Sequence, residues 1–286
     1  MKNILLTGSN GFIGSYFKNK YNNKYSIGTF SFRSNDLEEL SLLSIDTIIN
    51  LSALVHQMGG ASEDKYKKVN ITQTLRLAKK AKEAGVKHFI FMSTVKVYGE
   101  ETNNIYTEST PCLPQDNYGK SKLEAEQKLQ KLEDVNFQVS IIRTPIVYGY
   151  GVKANIQNLI KLVNKIPILP FGNIQNKRSM IYIGNLCYLI DQIILQEKSG
   201  IFLASDDKSL STTKFIELIA KNLNKKVYLI NIPLFSTLLK LIKPSFQKRL
   251  YGNLEVDNSK TKELLGLKNP YSTEDGIKLM IKGRDK

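Results

Sequence analysis

The chain has 286 residues, 42% of them hydrophobic and 23% charged, with 41 Lys and Arg against 26 Asp and Glu for a formal net charge of +15. This is enough chain for one large core or two modest ones, in the composition range of ordinary globular proteins. No apolar run reaches the ~18 residues of a membrane span, which sets integral membrane proteins aside.

The basic residues are spread along the sequence and form no tail. That pattern argues against nucleic acid and is compatible with an anionic small molecule, an anionic membrane surface or simply solvated helix faces. Cys112 and Cys187 form no disulfide framework, and His56 and His88 stand apart from them, so no metal site is expected. The N-terminal apolar stretch is too short for a signal peptide and runs into a glycine motif, so a cytoplasmic location is expected.

In chain order, KNILLTG (2–8) reads as a buried parallel strand and GFIGSYFKNKY (11–21) as a helix. KYSIGTFSF (24–32) and IDTIINLSAL (45–54) are the next strands. The run 65–86 is one long helix closed by Gly85. KHFIFMST (87–94) is a strand, SKLEAEQKLQKL (121–132) a helix of strong helix formers, and FQVSIIRTPIVYG (137–149) one more strand. Alternation at this spacing predicts an α/β fold, a Rossmann-type doubly wound parallel sheet over residues 1–150. From 151 to 286 the rhythm changes to a smaller, less regular C-terminal part that binds substrate, partly interleaved with the first. The segment 233–250, PLFSTLLKLIKPSFQKRL, is apolar and basic as an interfacial helix is. The preferred reading is an internal helix interrupted at Pro244, with no membrane contact.

Two local patterns carry chemistry. The first strand ends in Thr7-Gly8-Ser9-Asn10-Gly11-Phe12-Ile13-Gly14. Glycines at 8, 11 and 14 permit a tight turn and close approach of a pyrophosphate to a helix start, the mark of a dinucleotide site. The second is Tyr118 with Lys122, one helical turn apart. The same spacing at Tyr16 and Lys20 shows that such a pair is also compatible with a plain surface.

Together the motifs TGSNGFIG, INLSALVH, FMSTVKVYG, YGKSK and RTPIVYG resemble, in order and spacing, the extended short-chain dehydrogenase/reductase family. GVKANI, NKRSMIYIGNL and LEVDNSKTKELLG extend the likeness to its nucleotide-sugar 4-epimerase and 4-ketoreductase branch. The resemblance implies a catalytic trio of Tyr118, Lys122 and Thr94, with Ser93 the alternative hydroxyl and more at home beside the cofactor. A phenol near pKa ~10 becomes a working base only when nearby positive charge stabilises its anion.

The cofactor residues implied are Gly8, Ser9, Asn10, Gly11, Phe12, Ile13, Gly14, Arg33, Ser34, Leu51, Ala53, Asn70, Ser93, Tyr118, Lys122 and Pro145. Tyr148 falls on the same strand end as Pro145, and His56 on the loop beside the cofactor, without a catalytic role. For the sugar nucleotide the implied residues are Thr94, Tyr118, Asn155, Phe171, Arg178 and Arg249; Ser179 stands where family epimerases often carry an acid. The second strand ends at Ser31 or Phe32, without the acidic residue that holds an NAD ribose, and Arg33 and Ser34 follow. NADP(H) is therefore favoured, NAD(H) remaining possible, with Asp36 able to serve if the strand ends later.

The first expectation is a 4-reductase for a UDP- or dTDP-4-keto-6-deoxyhexose in surface polysaccharide biosynthesis. The alternatives are a UDP-glucose or UDP-N-acetylglucosamine 4-epimerase, and the same chemistry on a lipid-diphosphate-linked sugar. The resemblance also implies a homodimer through the 66–84 and 119–133 helices.

Overall fold

A computed structural model describes residues 1–55, 61–102 and 104–283; His56 lies outside them. Six parallel strands form the central sheet, in the order β2 (Ser26–Phe30), β1 (Asn3–Thr7), β3 (Thr47–Asn50), β4 (His88–Thr94), β5 (Gln138–Thr144) and β9 (Gly200–Leu203). The inner strands β1, β3, β4 and β5 are buried on both faces because both faces are covered, while the edge strand β2 is largely exposed. One face packs on α1 (Phe12–Tyr21) and α6 (Ile183–Gln196) through Phe17, Ile190 and Ile194. The other packs on α3 (Thr74–Glu83) and α4 (Asn117–Gln130) through Leu77, Ala81, Ala125 and Leu129.

The chain runs outward from β1 to β2 and returns on the other side of β1 as β3. This reversal opens a crevice at the carboxyl ends of β1 and β3, where ligands of open α/β sheets bind. Its floor is pinned by a buried polar chain: Thr7 Oγ1 donates to Asn50 Oδ1 at 2.6 Å, Asn50 Nδ2 donates to Thr74 Oγ1 at 3.1 Å, and the Ser52 amide donates to Thr7 Oγ1 at 3.1 Å.

The helix expected over 65–86 exists but is not uniform. It starts as α2 (Glu63–Tyr66), widens to a π-helical stretch (Lys67–Gln73), and continues as α3. It closes in a Schellman turn: the Val86 amide donates to the Ala81 carbonyl and the Gly85 amide to that of Lys82, with Gly85 at φ +79°. The π segment holds Asn70, and such bulges gather at functional sites.

The run 137–149 is two strands and not one. After β5 the chain turns at Pro145, which has no amide to donate to a ladder, and β6 (Ile146–Tyr148) pairs with β8 (Met180–Tyr182) in a separate small sheet. The C-terminal part adds α5 (Ala154–Lys165), β7 (Ile168–Leu169), α7 (Thr212–Asn222), β10 (Tyr228–Leu229), α8 (Phe235–Ile242), α9 (Pro244–Tyr251), α10 (Ser259–Leu265) and α11 (Thr273–Lys282). Pro244 sits at the first turn of α9, as expected of a residue that ends one helix and can begin another. The segment 233–250 is not internal: every residue of α8 and α9 is half-buried or exposed. Among the described residues no helix is long and apolar enough to cross a membrane, and no cluster of side chains could hold a metal ion.

Candidate active site

Two adjoining hollows occupy the carboxyl ends of the strands. The first, of about 510 Å³, is lined by Gly8 through Gly14, by Phe30 at the end of β2 with Phe32 and Arg33 beyond it, and by Leu51, Ala53 and Val55 after β3. Gly8 makes the turn at φ +68°, and a Cβ there would stand 2.9 Å from the Leu51 and Ser52 backbone. A Cβ at Gly14 would stand 2.3 Å from the Gly8 carbonyl, so this helix start can lie against the loop only as glycine. Gly11 is the N-cap of α1, which has no side-chain cap and no acidic residue in its first turn. The exposed amides and dipole of such a helix start suit a pyrophosphate, so the residues present fit a dinucleotide.

Ser34 is exposed and spends its hydroxyl on Asn35 Oδ1 at 2.9 Å, outside the hollow. Asp36 is exposed as well and accepts the Glu38 amide at 3.1 Å. Arg33 alone of this charged group lines the hollow.

The second hollow, about 300 Å³, shares Val55 with the first. Thr94, Tyr118, Thr144, Pro145, Asn155, Arg178, Ser179 and Arg249 line it, together with Lys96, Glu100 and Lys248, which the sequence reading did not name. Thr94 is the last residue of β4, in register with Thr144 of β5. Its hydroxyl faces that of Tyr118 and acts to lower the proton affinity of the phenol. Asp116 caps α4 by accepting the Gly119 amide at 2.7 Å, which fixes the turn that carries Tyr118. Gly119 lets that turn approach the sheet: a Cβ there would stand 2.8 Å from the Lys96 carbonyl.

Asn70 clamps the assembly from the π segment. Its Oδ1 accepts the Leu54 amide at 2.8 Å, and its Nδ2 donates to the Leu54 carbonyl at 3.0 Å and to Ser121 Oγ at 2.9 Å. Ser121 Oγ in turn donates to the Tyr118 carbonyl at 2.8 Å. Asn70 is fully buried and ties the β3 loop to the tyrosine turn.

Lys122 is 2% exposed; its Nζ donates to the Met92 carbonyl at 2.7 Å and lies 4.3 Å from the centre of the Phe91 ring. Burial pushes its ammonium down to about 7, against the attraction of Glu126. Burial, reinforced by Asp116, pushes the Tyr118 phenol up, with the Thr94 hydroxyl opposing. The protein alone therefore keeps the phenol protonated, and positive charge brought to it is what frees the proton.

Ser93 does not face the hollow. Its hydroxyl donates to Glu126, and the Glu126 carboxylate also takes Arg143 Nη2 at 2.6 Å and Nε at 3.2 Å. Arg143 Nη1 donates to the Tyr98 hydroxyl at 2.6 Å, which completes a buried network under the site. The family resemblance sets Ser93 beside Thr94 but gives no sign of this network. The signal present was three polar residues, Glu126, Arg143 and Ser93, at positions read as helix and strand core.

Phe171 and Tyr148 are not brought to the hollow. Phe171 is 6% exposed in the core, 6.3 Å from the Phe235 ring. Tyr148 is fully buried with its hydroxyl donating to Asp206 Oδ2 at 2.5 Å. Ser179 Oγ accepts the Val256 amide at 3.0 Å and so anchors a neighbouring strand segment. Arg178 Nη1 donates to the Gly252 carbonyl at 2.9 Å; desolvation, then the nearby Arg249, lowers its proton affinity. Two guanidinium groups at one wall suit a diphosphate, each fork being able to donate two hydrogen bonds.

This fold and site define an extended dehydrogenase/reductase. The model of the NAD dependent epimerase/dehydratase family matches residues 4–203, and the chain belongs to that family. A UDP-glucose 4-epimerase of Vibrio cholerae is 39% identical over 97% of this chain and 94% of its own length. An N-acetyl-alpha-D-glucosaminyl-diphospho-ditrans,octacis-undecaprenol 4-epimerase of Escherichia coli O157:H7 is 26% identical over 81% of this chain and 75% of its own. Among solved structures, the UDP-glucuronic acid 4-epimerase of Bacillus cereus in complex with NAD superposes with a TM-score of 0.79 at 21% identity, over 98% of this chain and 97% of its own. The chain is therefore an enzyme of the nucleotide-sugar epimerase and reductase type.

Proposed function

We propose that the protein interconverts the C4 epimers of a UDP-hexose, with a hydride carried by a nicotinamide dinucleotide. This reverses the order of the sequence expectation, which put 4-ketoreduction first. The likeness to a UDP-glucose 4-epimerase along nearly the whole of both chains supports the change. The observation that carries the chemistry is the Thr94–Tyr118 hydroxyl pair in one hollow with Arg178, Lys248 and Arg249, beside the glycine-lined cleft.

In this reading Tyr118 accepts the C4 hydroxyl proton and returns it after the sugar has presented its other face. Thr94 orients both oxygens, and Lys122 holds the nicotinamide ribose and adds positive charge beside the phenol. Arg178 and Arg249 hold the diphosphate, since a guanidinium fork donates two hydrogen bonds to one phosphate. Oxidised nicotinamide, when bound, supplies the hydride acceptor and a positive ring beside the phenol.

Arg33 and the lack of an acid at Ser31 or Phe32 support NADP(H); the epimerase likeness supports a resident NAD(H). Nucleotide released from the purified protein by acid identifies which is held. The homodimer through the 66–84 and 119–133 helices belongs to the same reading and is tested by sedimentation. A second substrate reading, a sugar on a lipid diphosphate, is supported by the outward apolar face of α8 and by the likeness to the undecaprenol-linked epimerase.

The test is incubation with UDP-glucose, UDP-galactose and their N-acetylated counterparts. Equilibration of the C4 epimers with no net cofactor use is expected. Stoichiometric NADPH consumption with a 4-keto sugar nucleotide, and no epimerisation, would restore the reductase reading.

A further inference from the structure

The helical pair α8–α9 is built backwards for a helix that packs on its own protein. Phe235 and Leu239 face inward, Phe235 against Phe171. Leu238, Leu241 and Ile242 of α8 and Leu234 at its N-cap form an apolar patch and are 53%, 79%, 65% and 80% exposed. Phe246, on α9, is 46% exposed. A patch of this kind on a water-facing helix marks an interaction surface, because isolated apolar residues on a surface do not cluster.

Charge identifies the occupant. Neither α8 nor α9 carries an acidic residue; Lys240, Lys243, Lys248 and Arg249 are the charged residues of the pair, Lys248 meeting Glu101 at 3.1 Å. A second copy of this chain would bring the same cations face to face, which disfavours a dimer through this patch. An anionic bilayer meets both demands, taking leucine side chains below the headgroups and ammonium groups among the phosphates.

We propose that α8 and α9 form a membrane-interfacial foot that seats the protein on anionic lipid. Lys248 and Arg249, on the same hairpin, line the hollow that holds Tyr118 and Thr94. The foot therefore sets the phosphate-binding wall of the site close to the headgroup layer. Docking does not depend on which sugar substrate is correct. It would give a sugar on a lipid diphosphate direct entry to the wall described above.

The test is flotation of the whole protein with vesicles of phosphatidylcholine alone and of phosphatidylglycerol with phosphatidylcholine. Binding at least tenfold greater to the anionic vesicles is expected, weakening as salt is raised past the range where the ~10 Å Debye length shields surface charge. Leu241→Glu with Ile242→Glu, and separately Lys240→Glu with Lys243→Glu, should each lower it at least tenfold. Far-UV circular dichroism and the thermal midpoint should stay unchanged, since these side chains are exposed. Wild-type protein that does not float with anionic vesicles overturns the proposal. So does a concentration-dependent dimer, seen by sedimentation velocity, that Leu241→Glu with Ile242→Glu abolishes. Retained flotation in both charge and leucine variants overturns it too.

Discussion

Glu126→Gln removes one charge from the buried network and leaves everything else in place. The side chains of Glu126 and Arg143 are 1% and 5% exposed, so solvent can do little for the guanidinium left behind. Desolvation alone would lower the proton affinity of Arg143, and the Glu126 carboxylate more than reverses that. Stranding one member of such a pair costs about 3–5 kcal/mol, whereas replacing both by apolar groups of similar volume is near neutral. Glu126→Gln is therefore expected to lose about 3–5 kcal/mol, and Glu126→Leu with Arg143→Met to recover most of it.

Urea unfolding followed by circular dichroism reads the difference as a shift in midpoint at unchanged slope. The same substitution has a second readout. Glu126 holds the Lys122 ammonium up against burial, so its neutralisation lets Lys122 lose its proton at still lower pH than about 7. The alkaline limb of the turnover profile should move to lower pH. A Glu126→Gln protein within about 1 kcal/mol of wild type, or a double variant no better than the single one, refutes the argument from an uncompensated buried charge.

Tyr118→Phe should keep dinucleotide affinity and lose about 10²–10⁴-fold in turnover, the range of general acid–base contributions, and near-normal turnover would remove Tyr118 from the mechanism. Thr94→Ala should lose activity that Ser93 does not restore, because the Ser93 hydroxyl is committed to Glu126; a rescue that disappears in the double Ser93→Ala variant would show the commitment to be breakable. Arg178→Ala should raise KM for the sugar nucleotide about tenfold or more with little effect on dinucleotide binding, consistent with a lost charge-assisted pair, and equal effects on both would place the arginine elsewhere. Burial holds His88 down to about 4, against 6.5 for the ordinary imidazole, so the stability it contributes is full above pH 6.5 and is lost as pH falls toward 4. That loss amounts to about 3 kcal/mol, and His88→Leu should flatten the acid side of the stability curve, measured as denaturation midpoint against pH.

The parts of the site legible in the sequence were those where one residue type has one reason to be present. Glycine at 8 and 14 follows from backbone contact that no side chain survives, and the alternation of apolar runs and helices follows from a sheet covered on both faces. The imidazole of His88 was not legible in the same way. Ser140 Oγ donates to the Lys198 carbonyl at 2.5 Å and so accepts from His88 Nε2, which leaves His88 Nδ1 bare and unpartnered. Only the pairing of β4 with β5 and the chain beyond them determines that. The division of 137–149 into β5 and β6 was hidden for a similar reason. The apolar run is continuous, and the break comes from Pro145 and from the partner that β6 finds 34 residues later in β8.

The hardest feature to read was the direction a helix faces. The apolar residues of 235–242 establish an amphipathic helix in either orientation, and burying its apolar face is the ordinary outcome. What decides against burial is competition for the one surface that the C-terminal part offers. Phe171 is already core, and it takes Phe235, the residue next to Leu234 in the chain. Once Phe235 and Leu239 are turned inward, a helix rotating 100° per residue carries Leu241 to the opposite side and Leu238 to the flank, while Leu234 precedes the helix as its left-handed N-cap. The Phe171–Phe235 contact thus fixes the roll of α8 and with it the outward position of Leu241. Phe235→Ser should loosen that contact and let the leucine patch compete for the core, which lowers flotation with anionic vesicles without altering the patch itself. Flotation unchanged by Phe235→Ser would mean that something other than the Phe171 contact sets the orientation of α8.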